Sequence, residues 1–267
     1  MQTLCLVGED CLSAAETIAE RLATARNGRV ATVDHTDTRP VDTPETPGPG
    51  TFRIDSDGRW VGAGDDRSVN DLLDGLASDY EYAVVAGLAH HRLPTVTIGD
   101  AETPPGATVV ETAPTAEALD TEAILGRIDD LEPHITLDTL VDRAKAAPGA
   151  DRSGAIATFT GRVRAKDDPA DARTDRLTFE KYEGVAEERL DAIRQDLTAR
   201  EGVFEVLFHH RVGPIDDGED IVFVVVLAGH RRQAFRTVED GIDRLKDEVP
   251  IFKKESTTDG EFWLHER

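Results

Sequence analysis

Residues 230–255 read HRRQAFRTVEDGIDRLKDEVPIFKKE, and this segment decides how the C-terminal half of the chain folds. Apolar residues recur in it at steps of three and four, so the spacing predicts an amphipathic helix. They are Phe235, Val238, Ile242 and Leu245. Pro250 predicts the end of that helix, because proline has no amide hydrogen and disfavours a helical residue before it. An extended segment is predicted after the proline.

The same segment holds half of the lysines of the chain, which are Lys145, Lys166, Lys181, Lys246, Lys253 and Lys254. Lysine can lose its proton when it is desolvated and arginine cannot, so this concentration suggests that the amines are needed chemically. A structural alternative is that Lys246 complements the negative end of the helix dipole and that Lys253 and Lys254 are a solvated pair. Because Pro250 separates them, Lys246 and Lys253 can meet only if the chain doubles back.

A length of 267 residues allows two domains of ordinary size, and we place the boundary at residue 132, giving domains 1–132 and 133–267. The prolines and glycine of residues 100–106 mark the predicted start of a linker. Cys5 and Cys11 form no disulfide or zinc pattern, and the sequence indicates no metal and no cofactor. Without an apolar run of spanning length or a signal peptide, a cytoplasmic protein is expected.

The formal net charge is −23, which argues against non-specific binding to nucleic acid because phosphates would be repelled. The acids are scattered and lysine is scarce, a composition that resembles proteins of salt-loving organisms, where molar salt screens self-repulsion. The alternative is an ordinary acidic protein with a basic partner. Loss of structure in dilute buffer would support the first interpretation, and indifference to salt would exclude it.

The N-terminal domain opens with a predicted strand over residues 3–7, a helix, and a second strand over residues 29–33, the beginning of a βαβ unit. A phosphate-binding loop at the first turn would read G-x-x-x-x-G-K-[ST]. Residues 8–15 read GEDCLSAA instead, in which the second glycine, the lysine and the hydroxyl are all missing from their places, and Glu9 and Asp10 would repel a phosphate. No nucleotide-binding residue is therefore predicted. His90 and His91 lack partners at ligand spacing and are expected at the surface.

This region nevertheless resembles the molybdopterin-guanine dinucleotide biosynthesis GTP-binding protein family. The resemblance runs through VATVDHT at 30–36, DTP at 42–44, YAVVAG at 82–87 and LPTVTIG at 93–99. It implies an α/β fold of the P-loop type that is degenerate at its phosphate loop. GTP binding through an altered loop is the competing hypothesis.

The C-terminal domain shows strand patterns separated by helical ones, in an order that predicts an α+β fold. Helices are predicted over residues 137–146 and 185–199, and the third is the helix that starts at His230 and Arg231 and is stopped by Pro250 a few residues beyond Leu245. Another helix is predicted over 117–131, before the boundary. Residues 221–227 form the most apolar run and predict a central strand. His209 and His210 lie in a predicted strand, where alternation turns one of them outward, and a structural role is expected for both. Residues 166–174 are polar and predict a loop.

Several motifs of this half resemble the large, catalytic subunit of molybdopterin synthase. In order, they read GAIATFTGRVR at 154–164, LTFEKY at 177–182, HRVG at 210–213, GEDIV at 218–222, GHR at 229–231, LK at 245–246 and PIFKKE at 250–255. The resemblance covers about residues 135–267, and Phe252 stands where the family often has tryptophan.

The resemblance implies an enzyme that inserts two sulfurs into cyclic pyranopterin monophosphate and so makes the molybdopterin dithiolene. The sulfur donor is the thiocarboxylated C-terminal Gly-Gly of a ubiquitin-like small subunit. The functional lysines of the family map onto Lys246 and Lys253, and its substrate contacts map onto Arg164, His230 and Arg231. A homodimer within a heterotetramer is implied, with His230 and Arg231 reaching the site of the neighbouring protomer.

These residue types suit two anionic reactants on an acidic protein. A guanidinium fork binds phosphate in a bidentate manner, and a lysine among other cations loses its proton more easily, because like charges disfavour its protonated form. Lys246 could then transfer a proton or attack the acyl carbon; we place it at the acyl group with Lys253 in support. His230 could instead be only a helix cap, and Lys254 is expected to face solvent. The alternative function is a non-catalytic scaffold that binds ubiquitin-like tails during molybdenum cofactor assembly.

Overall fold

A computed structural model describes residues 1–36, 50–57, 59–64, 67–88, 93–103, 107–166, 168–182, 184–257 and 260–264. The chain divides into two compact units, Met1–Ile135 and Thr136–Arg267. His90 and His91 and most of the proline-rich stretch 40–50 lie outside the described residues. Within the described part of the chain, no helix has the length and apolar character needed to cross a membrane.

The first unit is an α/β structure built on one parallel sheet. Its elements are β1 (Gln2–Gly8), α1 (Cys11–Arg26), β2 (Val30–Asp34), β3 (Gly50–Ile54), β4 (Trp60–Gly64), α2 (Val69–Ala77), β5 (Tyr82–Ala86), β6 (Thr95–Ile98), β7 (Val109–Ala113) and α3 (Thr121–Arg127). The sheet has the order β2-β5-β1-β6-β7, with every pair parallel, and β3 and β4 form a separate antiparallel hairpin. The predicted α/β class and βαβ opening are confirmed.

The connection between β1 and α1 consists of only two residues, Glu9 and Asp10. A phosphate-binding loop wraps several consecutive backbone amides around its ligand, and two residues are too few to do so. Gly8 has a φ of +118°, and a Cβ there would come within 2.1 Å of the Ile98 backbone oxygen. This glycine is therefore required by the close approach of β1 to β6.

Two predictions for this unit were wrong. Residues 100–106 do not lead out of the domain, because β7 follows them and pairs with β6 in the same sheet. The predicted helix over residues 117–131 is interrupted: a 3₁₀ turn at Ala116–Ala118 precedes α3, and another at Ile128–Asp130 follows it. The Asp120 side chain accepts from the Ala123 amide and caps a new helix start inside the predicted one.

The second unit is α+β, as predicted. It contains α4 (Leu137–Lys145), β8 (Ala155–Arg162), β9 (Thr174–Lys181), α5 (Val185–Thr198), β10 (Val203–His210), β11 (Gly213–Asp216), β12 (Asp220–Ala228), α6 (Arg231–Glu248), β13 (Ile251–Thr257) and β14 (Gly260–Leu264). The strands form two antiparallel sheets, β10-β12-β8 and β11-β9-β13-β14. The sequence pattern missed β11 and β14, which are short and lie at sheet edges.

Strand β12 is central in its sheet, as its apolar sequence predicts, and Phe223, Val224 and Val226 are almost completely buried. Helices α5 and α6 add Ile193, Leu197 and other apolar side chains to the same core. Phe235 departs from the predicted apolar face of α6, because 62% of its surface is exposed. The buried apolar face of α6 therefore does not include Phe235, the aromatic residue nearest the start of the helix.

Substitution Gly8→Ala is expected to lower the free energy of unfolding by about 2–3 kcal/mol, because the backbone conformation is strained for alanine and the methyl group collides with Ile98. Gly126→Ala in α3 is the matched control, since a Cβ there meets nothing within 4 Å; it should be neutral or stabilise by about 0.5–1 kcal/mol. Denaturant unfolding in molar salt measures both. Equal stability of the two variants would contradict the close approach at Gly8.

Candidate functional site

A cavity of about 1000 Å³ lies within the second unit. Its wall is formed by residues of β8, β9, β10, β12 and β13 and by the last turn of α6. Arg164, Lys246 and Lys253 all line it, so three of the five site residues predicted from the sequence meet at one cavity.

Lys246 and Lys253 meet because the chain reverses after α6. The helix ends at Val249, whose amide still donates to the Leu245 carbonyl at 3.1 Å but whose ψ is 123°. Pro250 imposes this extended conformation on the residue before it. Strand β13 then runs antiparallel to β9, with Lys253 opposite Phe179, which returns the chain along the cavity wall.

Arg164 follows the end of β8, and its neighbour Val163 fixes the backbone there. The Val163 amide donates to the Glu219 carbonyl, and the Gly218 amide donates to the Val163 carbonyl, each at 2.9 Å. Val163 itself is buried, whereas Arg164 is exposed at the cavity. Lys246 is exposed as well, and its ammonium makes no ion pair with any residue that the structure describes.

His230 and Arg231 do not line this cavity. They are exposed at the start of α6, where the His230 amide donates to Oε1 of Gln233 at 3.1 Å. Fifteen residues separate Arg231 from Lys246, which corresponds to about 22 Å along a helix. One protomer by itself therefore does not bring His230 and Arg231 to the three other predicted residues.

Carboxylates also line the cavity, and the sequence analysis did not single them out. The Thr174 hydroxyl donates to Oε1 of Glu255, and this pair ties β9 to β13 beside Lys253. Asp171 and Asp247 add two further carboxylates at the cavity. Glu255 lies within the quoted motif PIFKKE and two positions from Lys253, so strand alternation could have placed both on one face.

His210 also lines the cavity, although the sequence predicted only a structural role for it. Its Nδ1 lies 2.7 Å from the Arg211 carbonyl oxygen, and its ring packs edge-on against Phe179 at 4.9 Å. Burial lowers the pKa of His210 to about 4; the bond to Arg211 opposes this shift and the charge of Lys181 adds to it. The imidazole is therefore neutral near pH 7. His209 instead stacks on Phe223 at 6.2 Å and does not line the cavity.

Three other residues named from the sequence lie near this region. Lys254 is partly exposed and does not line the cavity. Lys181 does not line the cavity and lies 3.7 Å from Glu187. Phe252 lines the cavity with 47% of its surface exposed, so a flat aromatic side chain borders the opening.

An α+β domain whose cavity gathers Arg164, Lys246 and Lys253 on a strongly acidic chain is of a class suited to anionic ligands. A family model described as "MoaE protein" matches residues 132–248. A "Probable molybdopterin synthase" of Haloferax volcanii is 54% identical over 268 residues, which cover all of both chains. The chain belongs to the molybdopterin synthase catalytic subunit family, as the motifs of its C-terminal half predict.

Other relatives match the C-terminal half alone. The "Molybdopterin synthase catalytic subunit" of Yersinia pestis is 41% identical over 117 residues, which are 44% of this chain and 76% of that protein. The crystal structure of molybdopterin synthase from Staphylococcus aureus is 31% identical, covers 51% of this chain and 94% of its own, and has a TM-score of 0.44.

The neutral state of His210 predicts a specific loss of stability in acid. Its pKa is lowered in the folded state, so the unfolded state takes up a proton first as the pH falls below about 6.5, and stability is lost from there towards pH 4. Between pH 7.5 and 5 this group should cost the wild type about 2 kcal/mol of unfolding free energy. Denaturant unfolding of the wild type and of His210→Phe at both pH values measures the difference. Parallel losses in the two proteins would contradict a neutral, partly buried imidazole.

Proposed function

We propose that the chain transfers sulfur from the thiocarboxylated C-terminus of a ubiquitin-like small subunit to cyclic pyranopterin monophosphate, making the molybdopterin dithiolene. The observation that carries this proposal is the meeting of Arg164, Lys246 and Lys253 at one cavity of a chain with a net charge of −23. Both reactants are anions, and the mean field of the protein repels anions. A local group of cations in a partly enclosed cavity overcomes that repulsion.

The three cations have different tasks in this proposal. Arg164 binds the substrate phosphate, because a guanidinium fork donates two parallel hydrogen bonds to it. Lys246 acts at the acyl group of the donor tail, either as a proton carrier or as a nucleophile, and Lys253 supports it. Lys246 suits the reacting position, because no described carboxylate pairs with its ammonium.

Strand β13 holds Lys253 in place for this role. Its backbone pairs with β9 on one side and with β14 on the other, so Lys253 stands on a strand that is hydrogen-bonded along both edges. Thr174 holds Glu255 on the same strand. A site built on paired strands keeps its geometry better than a site built on a loop.

His230 and Arg231 enter the proposal through a second protomer. Their exposure at the start of α6 leaves them accessible to a neighbouring copy. Two arginines, Arg231 and Arg232, and no acid occupy the first turn of α6, although the positive end of the helix dipole favours acids there. Cations at this position cost stability, which fits a role in binding an anion. A homodimer carrying two small subunits is the assembly we propose.

The first unit is proposed to be a P-loop-like scaffold without nucleotide. The two-residue connection between β1 and α1 and the carboxylates of Glu9 and Asp10 support this. Retention of GTP in equilibrium dialysis would favour the altered-loop hypothesis instead.

Lys246→Ala and Lys253→Ala are each expected to lower sulfur transfer at least about 100-fold while the fold survives, because each removes a group that acts on the reacting atoms. Lys145→Ala is the matched control, since Lys145 lies on α4, pairs with Asp142 at 2.9 Å and does not line the cavity. The assay is reconstitution at high salt with a thiocarboxylated Gly-Gly partner and the cyclic precursor. Normal conversion by both cavity variants would refute the assignment, and tail binding without any turnover by the wild type would select the scaffold function.

A site built from residues of two protomers predicts that two inactive variants restore activity when they are mixed. Arg231→Ala and Lys246→Ala should each be inactive alone, but their mixture should regain about a quarter of wild-type activity after subunit exchange, because half of the dimers are mixed and each has one intact site. A mixture of Lys246→Ala with Lys253→Ala is the control and should stay inactive, since both changes affect the same protomer's cavity. Failure of the first mixture despite demonstrated exchange would contradict a site that Arg231 of a second protomer completes.

A further inference from the structure

The hydrogen bonds of His210 determine which of its ring nitrogens carries the proton. The Arg211 carbonyl oxygen can only accept, so Nδ1 at 2.7 Å must donate to it. The neutral imidazole then has its lone pair on Nε2. Nε2 has no hydrogen-bond partner among the residues that the structure describes. It is not one of the fully buried polar atoms that lack a partner, so it retains some solvent-accessible surface. Because His210 lines the cavity and its Nδ1 is bonded to the backbone, Nε2 is the ring nitrogen that it can offer to a ligand there.

His210 is held rigidly in this orientation. It ends β10, where it is paired with Val222 of β12, and its ring meets Phe179 of β9 at an interplanar angle of 72°. Strands of both sheets therefore fix the ring. A hydrogen-bonding group that is fixed before its ligand arrives loses little conformational entropy on binding, which suits recognition of a rigid ring system.

The rest of the polar lining combines charged side chains with threonine hydroxyls. The cations are donors, and the carboxylates of Asp171, Asp247 and Glu255 would repel a phosphorylated substrate at close range. The cations are Arg162, Arg164, Lys246 and Lys253, and the threonines are Thr160, Thr174 and Thr257. Burial keeps His210 neutral through its pKa of about 4, so it accepts hydrogen bonds without adding charge. The same low basicity makes it a poor general base near pH 7.

We infer that Nε2 of His210 accepts a hydrogen bond from an N–H of the substrate's pterin ring and so orients that ring while the cations hold its phosphate. This inference rests on the proposed function and extends it, because it assigns a neutral recognition point to the heterocycle. A pterin carries an amino group and ring N–H donors on one edge, and a site that pairs with such donors discriminates against rings without them. His210 is thus a substrate-binding residue, beyond its structural contacts with Phe179 and Arg211.

Three substitutions separate this role from a structural one. His210→Gln keeps an acceptor near the position of Nε2, His210→Asn keeps a donor for the Arg211 carbonyl but loses that acceptor, and His210→Phe keeps only the ring. We expect His210→Asn and His210→Phe to raise the KM for the cyclic precursor about tenfold, and His210→Gln to stay within about threefold of the wild type. The KM for the thiocarboxylated partner should not change in any of them.

Two outcomes of these assays would overturn the inference. One is a wild-type KM for the precursor in His210→Phe. The other is a parallel rise of both KM values in all three variants, which is the result expected of a structural role alone.

A measurement on the unaltered protein does not depend on the folding of variants. Titration of ¹⁵N-histidine-labelled protein with the cyclic precursor should shift the Nε2 resonance of His210 and leave its Nδ1 in the protonated form. Saturating binding without a shift of Nε2 would refute the inference. The proposed function is tested by a different result, which is turnover by the wild type with the thiocarboxylated partner. If that turnover is absent, the titration still shows whether His210 contacts the precursor.

Discussion

The reversal of the chain at Pro250 is the constraint on which the rest of the site depends. A helix that continued past Val249 would carry Lys253 away from β9 and leave the cavity without one wall. The proline ends α6, and the next seven residues pair with β9 as β13. The last turn of a helix and the middle of a strand thereby contribute to one cavity, although Pro250 lies between them in sequence.

The distribution of charge along the chain determines which cations are available at this cavity. All six lysines lie in the second unit, and the first 135 residues contain none. Many exposed arginines are engaged with acids, such as Arg176 with Asp216 at 2.6 Å and Arg244 with Glu248 at 2.5 Å. Such surface pairs contribute little stability each, but they leave fewer cations available for ligands. The ammonium of Lys246 makes no ion pair with a described residue, so it is a cation that remains available to a ligand on this acidic chain.

Neutral and charged recognition are combined in the same cavity. The cations account for binding a phosphate and a thiocarboxylate, but they do not distinguish one phosphorylated ring system from another. His210 adds an uncharged acceptor whose tautomer is set by the backbone of its own neighbour. The same burial that lowers its pKa makes it dependent on the packing of β9 against β10.

The local elements and the family could be predicted from the sequence. The apolar run of β12 predicted a central strand, the spacing in α6 predicted a helix, and Pro250 predicted its end, because each of these depends on neighbouring residues. The residues between β1 and α1 also indicated the missing phosphate loop. Strand β7 and the edge strands β11 and β14 were missed, since short strands are defined mainly by the partner they pair with.

Which side chains share a cavity depends on long-range packing and could not be predicted from the sequence. Alternation along β10 shows that His209 and His210 face opposite ways, but it does not show which of them meets the cavity, because that depends on how the two sheets pack. The position of Lys253 depends on pairing with β9, about 75 residues earlier in the chain. Burial, which keeps His210 neutral, is likewise a property of contacts between distant strands, and no local sequence pattern encodes it.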